Sequence, residues 1–421
     1  MLFFYHQYVF NQGLDMYTSF AGKRIVIGVT GSIAAFKVAG WVSTLAKDEA
    51  RVTVIMTESA MRFVTPLTFA SLSGEKVYSD MFADDEGPDI SHIKLGMDAD
   101  LFIIAPATAH TIAKLAHGLA DNLLCATALA ARSKVIVCPA MNSRMYSHPA
   151  TQANIAGLKA LNYQVIEPTC GMMACKDEGQ GRLPEWEQVQ EIFLRLLSAG
   201  DLHGERVLVT AGPTREPIDP ARFISNRSSG KMGHALARHA YRRGADVILI
   251  SGPTRLACPE GVKRVNVQTA EDMRTAVMEH FPQATVIIKA AAVSDFRPET
   301  RYADKVKKEQ AGLSLGLTAN PDILQELGER KNCAQQLLVG FAAESSDFLN
   351  EGKRKLQKKN LDLIAVNDIT RNDTGFEADT NQITLIDHQG VIELPLVSKE
   401  RTADLILDRI VALLQTRKET T

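Results

Sequence analysis

Very little in this chain of 421 residues commits it to a special environment. Its six cysteines are irregularly spaced and include no CxxC pair, so no disulfide framework is written into it, and reduced cytosolic thiols are the expected state. No apolar run approaches the roughly 20 residues of a membrane-spanning helix. The formal net charge of −2 excludes a nucleic-acid surface built on bulk charge, while leaving room for a local basic pocket. Glycine and proline are not in excess, and the apolar content is that of a globular protein. A cytoplasmic protein that meets neither nucleic acid nor membrane is expected. The first twenty residues, MLFFYHQYVFNQGLDMYTSF, are aromatic and apolar but lack a basic opening and a small-residue cleavage site. Residues 1–22 therefore read as a loosely packed extension, with Met16 as an alternative start and the folded pattern beginning at Lys23.

What is present is an alternation of short apolar runs and helical spacing. Arg24–Thr30, Arg51–Met56, Leu101–Ala105 and Lys134–Cys138 read as buried strands. Ser32–Lys47 has helical spacing through Ile33, Phe36, Val38, Trp41, Val42 and Leu45, and Trp186–Leu197 closes this part as a helix. Ala199–Glu205 is the best linker candidate. The pattern then restarts with strands at Arg206–Thr210, Ala245–Ile250, Thr285–Lys289, Leu337–Phe341 and Leu361–Val366, and a helix at Lys231–Arg243. Ile383–Asp387 and Val391–Leu394 read as a hairpin, and Leu405–Leu414 as a terminal helix. The fold class is α/β: a flavodoxin-like or Rossmann-like parallel-sheet domain over residues 23–198, a linker over 199–205, and a second Rossmann-like α/β domain with an antiparallel element over 206–421.

Two nucleotide templates fail. GxGxxG starting at Gly28 would need glycine where Thr30 and Ile33 stand. What survives at Gly31 and Ser32 is a helix N-terminus able to face an anion, which suits one phosphate, as in FMN, better than a pyrophosphate. Ligands in open α/β sheets sit beyond the carboxyl ends of the strands. Three segments end there: Thr57–Ser59, Pro106–Thr108 and Pro139–Asn142. Each alone is read more simply as a helix cap; three at one edge shift the balance toward a ligand. His92 precedes the third strand. Cys175 lies among Gly171, Gly179 and Gly181, in a segment too rich in glycine for a helix or strand core, which reads as a mobile flap; Cys170 competes with it. The second template, Walker A, fails at SNRSSGKMG, where Ser225 replaces the first glycine and Met232 the Ser/Thr. This turn still opens a helix and can face an anion. Lys305, Lys307 and Lys308 form a run that a solvated face explains as readily as a site. Lys355 and Lys359 share a helix face, and Asn320–Ile323 begins a helix with a carboxylate. Lysines, aspartates and Ser/Gly amides together suit a nucleoside triphosphate with Mg2+.

Taken in order, PAMNSRM (Pro139–Met145), CGMMACKDEGQGRLP (Cys170–Pro184), SNRSSGKMG (Ser225–Gly233), AAAVSDF (Ala290–Phe296) and DKVKK (Asp304–Lys308) resemble one family. It is the bifunctional phosphopantothenoylcysteine synthetase/decarboxylase family of bacterial coenzyme A biosynthesis, and the resemblance runs from about Lys23 to the C-terminal helix. For the first domain it implies an FMN-dependent decarboxylase. FMN would be contacted by Gly31, Ser32, Thr57, Thr108 and Met145. His92 would act as base, Asn142 would hold the substrate carboxylate, and Cys175 would return a proton. The substrate thiol would be oxidised to a thioaldehyde by hydride transfer to FMN, giving CO2 loss the electron sink it otherwise lacks. The chain departs from the family at His110, where PATAHT replaces a PASANT-like motif, and at Tyr146, which replaces Trp; both bear on flavin contact.

For the second domain the resemblance implies a ligase in which the carboxylate of 4′-phosphopantothenate attacks CTP, and cysteine then displaces CMP from the acyl-cytidylate. Asn226 would hold that intermediate and Lys305 would serve in catalysis. Lys289, Ala290, Ala291, Asp295, Lys305, Pro321, Asp322, Ile323, Leu324, Phe341, Lys355 and Lys359 would contact the nucleotide, with Asp295 at Mg2+. The family also implies homo-oligomers, trimer-based through the flavin half and dimeric through the ligase half. A flavin-dependent decarboxylase of peptide C-termini is the rival enzyme reading, and a flavoprotein module without catalysis is the rival of another class.

Overall fold

The structure, a computed structural model, describes residues 19–82, 90–173, 177–306, 314–344, 347–368 and 379–420. Residues 1–18, Cys175, Lys307 and Lys308 lie outside the described residues. The chain forms two compact units, Met1–Leu197 and Ser198–Thr421. Among the described residues no helix is long and apolar enough to cross a membrane.

The first unit is built on a six-stranded sheet with every pairing parallel. Its order is Val77–Tyr78, Arg51–Met56, Arg24–Val29, Leu101–Ala107, Val135–Pro139, Gln164–Val165. The central strands are continuously apolar because both faces are covered. On one face, Ile25, Ile27 and Val29 pack with Trp41, Val42 and Leu45 of the helix Ala35–Lys47 and with Phe193 of the helix Trp186–Leu197. On the other, Val26, Phe102 and Ile104 pack with Leu124 and Leu158. Four expected strands and the helix Trp186–Leu197 are present within a residue or two of their expected ends.

Three differences have physical reasons. Ile33 and Phe36 were expected on the buried helical face but are exposed, because the helix begins only at Ala35 and buries Val38, Trp41, Val42 and Leu45. The fold is already in place before Lys23. Phe20 is 3% exposed and its ring lies 5.8 Å from that of Trp186, while its N–H donates to the Asp48 carboxylate. The glycine-rich segment is a strand pair, Thr169–Met172 against Glu178–Arg182, and not a stretch without strands. Its glycines serve close approach: a Cβ on Gly181 would collide with the Met141 carbonyl oxygen.

The second unit carries an eight-stranded sheet in the order Lys263–Asn266, Asp246–Ser251, Arg206–Ala211, Val286–Lys289, Leu337–Glu344, Leu363–Asp368, Ile383–Asp387, Gly390–Glu393. The first six strands run parallel and the last two are antiparallel, as the expected hairpin requires. The helices Lys231–Arg242 and Lys399–Thr420 pack together over one face, through Leu236, Ala240, Ile406 and Ile410. The segment read as a linker belongs to this unit. Leu202 is buried in its core, and Asp201 accepts two hydrogen bonds from the fully buried Arg243 guanidinium.

Candidate functional sites

In the first unit the loops after the strands are tied into one rim. The buried Thr30 hydroxyl donates to the Pro106 carbonyl at 2.6 Å and accepts from the Thr108 N–H at 3.0 Å. The Ala140 N–H donates to the Ala107 carbonyl at 3.0 Å, and the Met141 N–H to the Gly181 carbonyl at 3.0 Å. A Cβ on Gly31 would strike the Ser59 Cβ, so glycine is required for the first and second strand ends to approach. Gly31, Ser32, Thr57, Thr108, Asn142 and Met145 thus stand on adjoining segments of the same edge. A helix that precedes a parallel strand runs antiparallel to it, so the start of the helix Ser91–Asp98, with His92, lies toward this edge as well. Met145 is 50% exposed.

The simpler reading of three of these residues also holds. Thr57 accepts from the Ala60 N–H, Thr108 from the Thr111 N–H and Asn142 from the Arg144 N–H, each as a helix cap. Capping leaves Asn142 Nδ2, which donates to Asp177 on the glycine-rich hairpin at 3.0 Å. The Nδ1 atom of His92 is buried and has no hydrogen-bond partner among the described residues. Such an atom is costly unless a ligand or water meets it. Tyr146 is buried, and its hydroxyl donates to Glu167, which also pairs with Lys159 at 2.6 Å. The tyrosine that departs from the family motif therefore has a partner of its own, and burial followed by this bond pushes its pKa up to about 12.

The second unit has a well-formed cavity of about 510 Å3 at the carboxyl ends of its parallel strands. Its floor is the segment after Lys289, held by four polar side chains. Thr210 accepts from the Ala291 N–H at 3.2 Å and Thr214 from the Ser294 N–H at 3.0 Å. Asn226 donates to the Val293 carbonyl and Asn320 to the Ser294 carbonyl, both at 2.9 Å. Every expected nucleotide residue except Lys305 lines this cavity: Lys289, Ala290, Ala291, Asp295, Pro321, Asp322, Ile323, Leu324, Phe341, Lys355 and Lys359, with Asn226 beside them. Lys305 is exposed and is not among the lining residues. It sits in a loop fastened by the Val306 N–H to Asp219 at 3.3 Å.

The electrostatics are uneven. Lys289 is buried, and desolvation pushes its pKa down to about 7, against the attraction of Asp322 and with the repulsion of Lys359. Burial raises the Asp322 carboxyl, but its pairing with Lys359 at 2.8 Å outweighs this and holds it below the usual range. Sequence reasoning missed Lys231, Asn381 and Lys399, which also line the cavity. Lys231 stands in the segment that fails the Walker A template, which was its one available signal; Asn381 and Lys399 had none.

Comparisons with known proteins match the two units to two families. Residues 15–198 match the family described as Flavoprotein, and residues 202–414 the family described as DNA/pantothenate metabolism flavoprotein C-terminal domain. The chain is 48% identical over 397 residues to the coenzyme A biosynthesis bifunctional protein CoaBC of Bacillus subtilis (strain 168), covering 93% of this chain and 97% of that protein. It is 44% identical over 408 residues to the protein of the same name from Mycobacterium tuberculosis (strain ATCC 25618 / H37Rv), again covering 93% and 97%. The crystal structure of the C-terminal domain of a coenzyme A biosynthesis bifunctional protein CoaBC shares 43% identity, covering 52% of this chain and 100% of that one, with a TM-score of 0.45. The FMN binding protein AtHal3 shares 32% identity, covering 39% of this chain and 90% of that one, with a TM-score of 0.35. With both halves matched in order and nearly the whole length aligned, the chain belongs to the coenzyme A biosynthesis bifunctional proteins and carries their two activities, phosphopantothenoylcysteine decarboxylase and phosphopantothenate–cysteine ligase.

Proposed function

We propose that the second unit joins cysteine to 4′-phosphopantothenate with CTP, through an acyl-cytidylate, and that the first unit decarboxylates the product with FMN to give 4′-phosphopantetheine. The observation that carries the ligase half is the cavity: lysines from four separate elements and the carboxylates of Asp295 and Asp322 surround a floor of backbone amides. A carboxylate oxygen is a poor leaving group, so activation must precede amide formation, and cationic side chains at the strand ends are suited to a triphosphate. Asn226, fixed by the bond its side-chain NH2 donates to the Val293 carbonyl, lines the cavity. Lys305, on its fastened loop, would neutralise charge on the nucleotide or the acyl-cytidylate. Among the described residues no three His, Cys, Asp or Glu side chains group to hold a metal. Mg2+ needs only one or two protein carboxylates when substrate phosphates complete its shell, so Asp295 fits an ion that arrives with the nucleotide.

In the first unit the residues fit a flavin with one phosphate. The close approach that Gly31 permits and the rim of Ser32, Thr57 and Thr108 offer backbone and hydroxyl partners at a strand–helix turn. FMN supplies the hydride acceptor that makes loss of CO2 from this substrate accessible. His92, with its unpartnered ring nitrogen, takes up the thiol proton. Asn142 offers the substrate carboxylate a neutral donor, and Cys175 returns a proton to the enethiolate left after CO2 departs. Homo-oligomeric assembly belongs to the same reading, and the first unit leaves Phe36, Leu67 and Phe82 exposed at 61%, 74% and 75%. So does a cytoplasmic location, supported by free thiols at Cys125, Cys138, Cys170, Cys258 and Cys333. The test is formation of 4′-phosphopantetheine from 4′-phosphopantothenate, cysteine, CTP and Mg2+ by protein whose absorbance spectrum shows flavin. A colourless protein would sink the FMN half, and amide formation indifferent to CTP the ligase half.

A further inference from the structure

The short helix Ser143–Ser147 carries two residues of the first site, Asn142 at its cap and Met145 within it. Five residues are too few to hold a helix by their own hydrogen bonds, so this one takes its place from what anchors it. Only one of the five, Tyr146, is buried, and its ring belongs to the core cluster with Ile104, Ile155 and Leu158. The polar end of that ring is fixed as well. Its hydroxyl donates to Glu167, whose carboxylate pairs with Lys159 of the helix Pro149–Ala160 at 2.6 Å. The Tyr146 carbonyl accepts from the Gln152 side chain of the same helix, also at 2.6 Å. Asn142 lies one helical turn before Tyr146, and the Tyr146 N–H donates to the Asn142 carbonyl at 2.9 Å. A single backbone bond therefore joins the anchored tyrosine to Asn142.

We infer that Tyr146 and Glu167, with Lys159 holding the carboxylate, are positioning residues of the decarboxylase, which set the helix Ser143–Ser147 so that Asn142 meets the substrate carboxylate. This rests on the reading of Asn142 as the residue that holds that carboxylate. A phenylalanine would fill the same space in the core; what the hydroxyl adds is direction. A bond from a phenol to a charged carboxylate is stronger than one between neutral groups, and Lys159 keeps that carboxylate ionised and in place. Glu167 stands two residues before the strand Thr169–Met172, so the bond also ties the helix to the root of the glycine-rich hairpin. Within that hairpin, Gly179 approaches so closely that a Cβ on it would lie 2.9 Å from the Ser143 Cβ. The helix is thus held at its first residue by the hairpin and at Tyr146 by Glu167, and a small displacement of a residue that orients substrate costs much in rate.

The test uses the flavin-loaded full chain with Tyr146→Phe, which keeps the ring and removes the hydroxyl, and with Glu167→Gln, which removes the charge. Two readouts are taken. Flavin reduction by 4′-phosphopantothenoylcysteine is followed in a single turnover and expressed per bound flavin. Calorimetric titration gives Kd for 4′-phosphopantothenoylserine, which keeps the carboxylate but has no thiol to oxidise, and for 4′-phosphopantetheine, which has no carboxylate. Tyr146→Phe should slow flavin reduction about tenfold and weaken the serine analogue by a similar factor, the size of a lost charge-assisted bond, while the Kd of 4′-phosphopantetheine stays unchanged. Glu167→Gln should move the same constants in the same direction. In a chain that already carries Asn142→Ser, which keeps a capping hydroxyl and removes the amide, Tyr146→Phe should add no further loss. Unchanged constants in both variants would overturn the inference. So would equal weakening of both ligands, which marks general damage to the unit, or a full additional loss beside Asn142→Ser. Intact flavin reduction and analogue binding in Asn142→Ser alone would instead defeat the reading of Asn142, and this inference with it. The Glu167 side chain is 47% exposed, so Glu167→Gln carries the same comparisons even if Tyr146→Phe misfolds.

Discussion

Removing Phe20 should destabilise the first unit, although it lies outside the alternating strand–helix pattern. Its ring is buried against Trp186 at 5.8 Å, and Trp186 in turn meets Trp41 and Phe193, each at 6.1 Å. Truncating a buried phenylalanine to alanine costs about 3–5 kcal/mol, with about 0.5–1.5 kcal/mol of that range specific to aromatic pairing. Phe20 stands at the edge of the described fold, held by the bonds from Ser19 and its own N–H to Asp48, so the low end, about 3 kcal/mol, is expected. For a unit of this size that corresponds to a fall in Tm of roughly 6–12 °C. The assay is built into the composition. Both tryptophans of the chain, Trp41 and Trp186, sit in this one cluster, so their emission reports on the first unit alone. A chain beginning at Met16 should melt like the full chain and keep both activities. One beginning at Lys23, or carrying Phe20→Ala, should lose the fluorescence transition early and keep its ligase activity. Equal fluorescence midpoints for the Met16 and Lys23 chains would refute the reasoning.

Three further outcomes are expected. In His239, burial disfavours the charge, but the bonds to Asp404 and Glu400 outweigh it and raise the pKa above its ordinary value. A raised pKa gives stability that is complete below about pH 6.5 and fades as pH climbs through the folded-state value, so calorimetry should show the transition of the second unit falling with pH over that window, and His239→Gln should abolish this dependence. Lys289 shows the reverse sign: with its pKa pushed down to about 7, folding releases its proton, so Lys289→Met should stabilise the second unit at pH 7 and give progressively less benefit toward pH 10, as urea midpoints will show. Cys175→Ser should leave ligation intact and stop decarboxylation after CO2 loss, because a serine hydroxyl is too weak an acid to return the proton; mass spectrometry should find an enethiol two hydrogens lighter than 4′-phosphopantetheine, and normal product at a normal rate would make Cys175 a spectator.

How far the sequence could be read follows from what each residue's neighbours are. Central strands such as Leu101–Ala107 announce themselves because both faces are covered and every residue must be apolar. The edge strands Val77–Tyr78 and Gln164–Val165 are two residues long, too short for any period to emerge. The hairpin around Gly179 and Gly181 looks like breaker sequence, since its glycines answer to Ser143 and Met141 across a contact that no local window contains. Thr57, Thr108 and Asn142 illustrate a different limit. The residue types that cap helices are the types that hold ligands, because both tasks ask a short polar side chain to sit at a helix start. The structure shows the caps and does not thereby remove the rim they build.

The second cavity carries the same reasoning one step further. Residues legible there, Lys289 through Asp295 and Asn320 through Leu324, come from continuous motifs at strand ends. Lys231, Asn381 and Lys399 do not: Lys231 and Asp379 lie 148 positions apart and meet only because the helices Lys231–Arg242 and Lys399–Thr420 pack side by side. That packing is itself polar at its heart, with His239 between Asp404 and Glu400 and Arg243 reaching Asp408. The C-terminal helix is thus fixed by buried charge, and its first residue is the lysine that reaches the cavity. Loosening the His239 contacts should therefore be felt at Lys399 before the helix is lost. Substitution at His239 is expected to raise the ligase KM for CTP, because Lys399 lines the cavity, under conditions where the unit remains folded. An unchanged KM in a destabilised His239→Gln chain would show that the anchor and the site are independent.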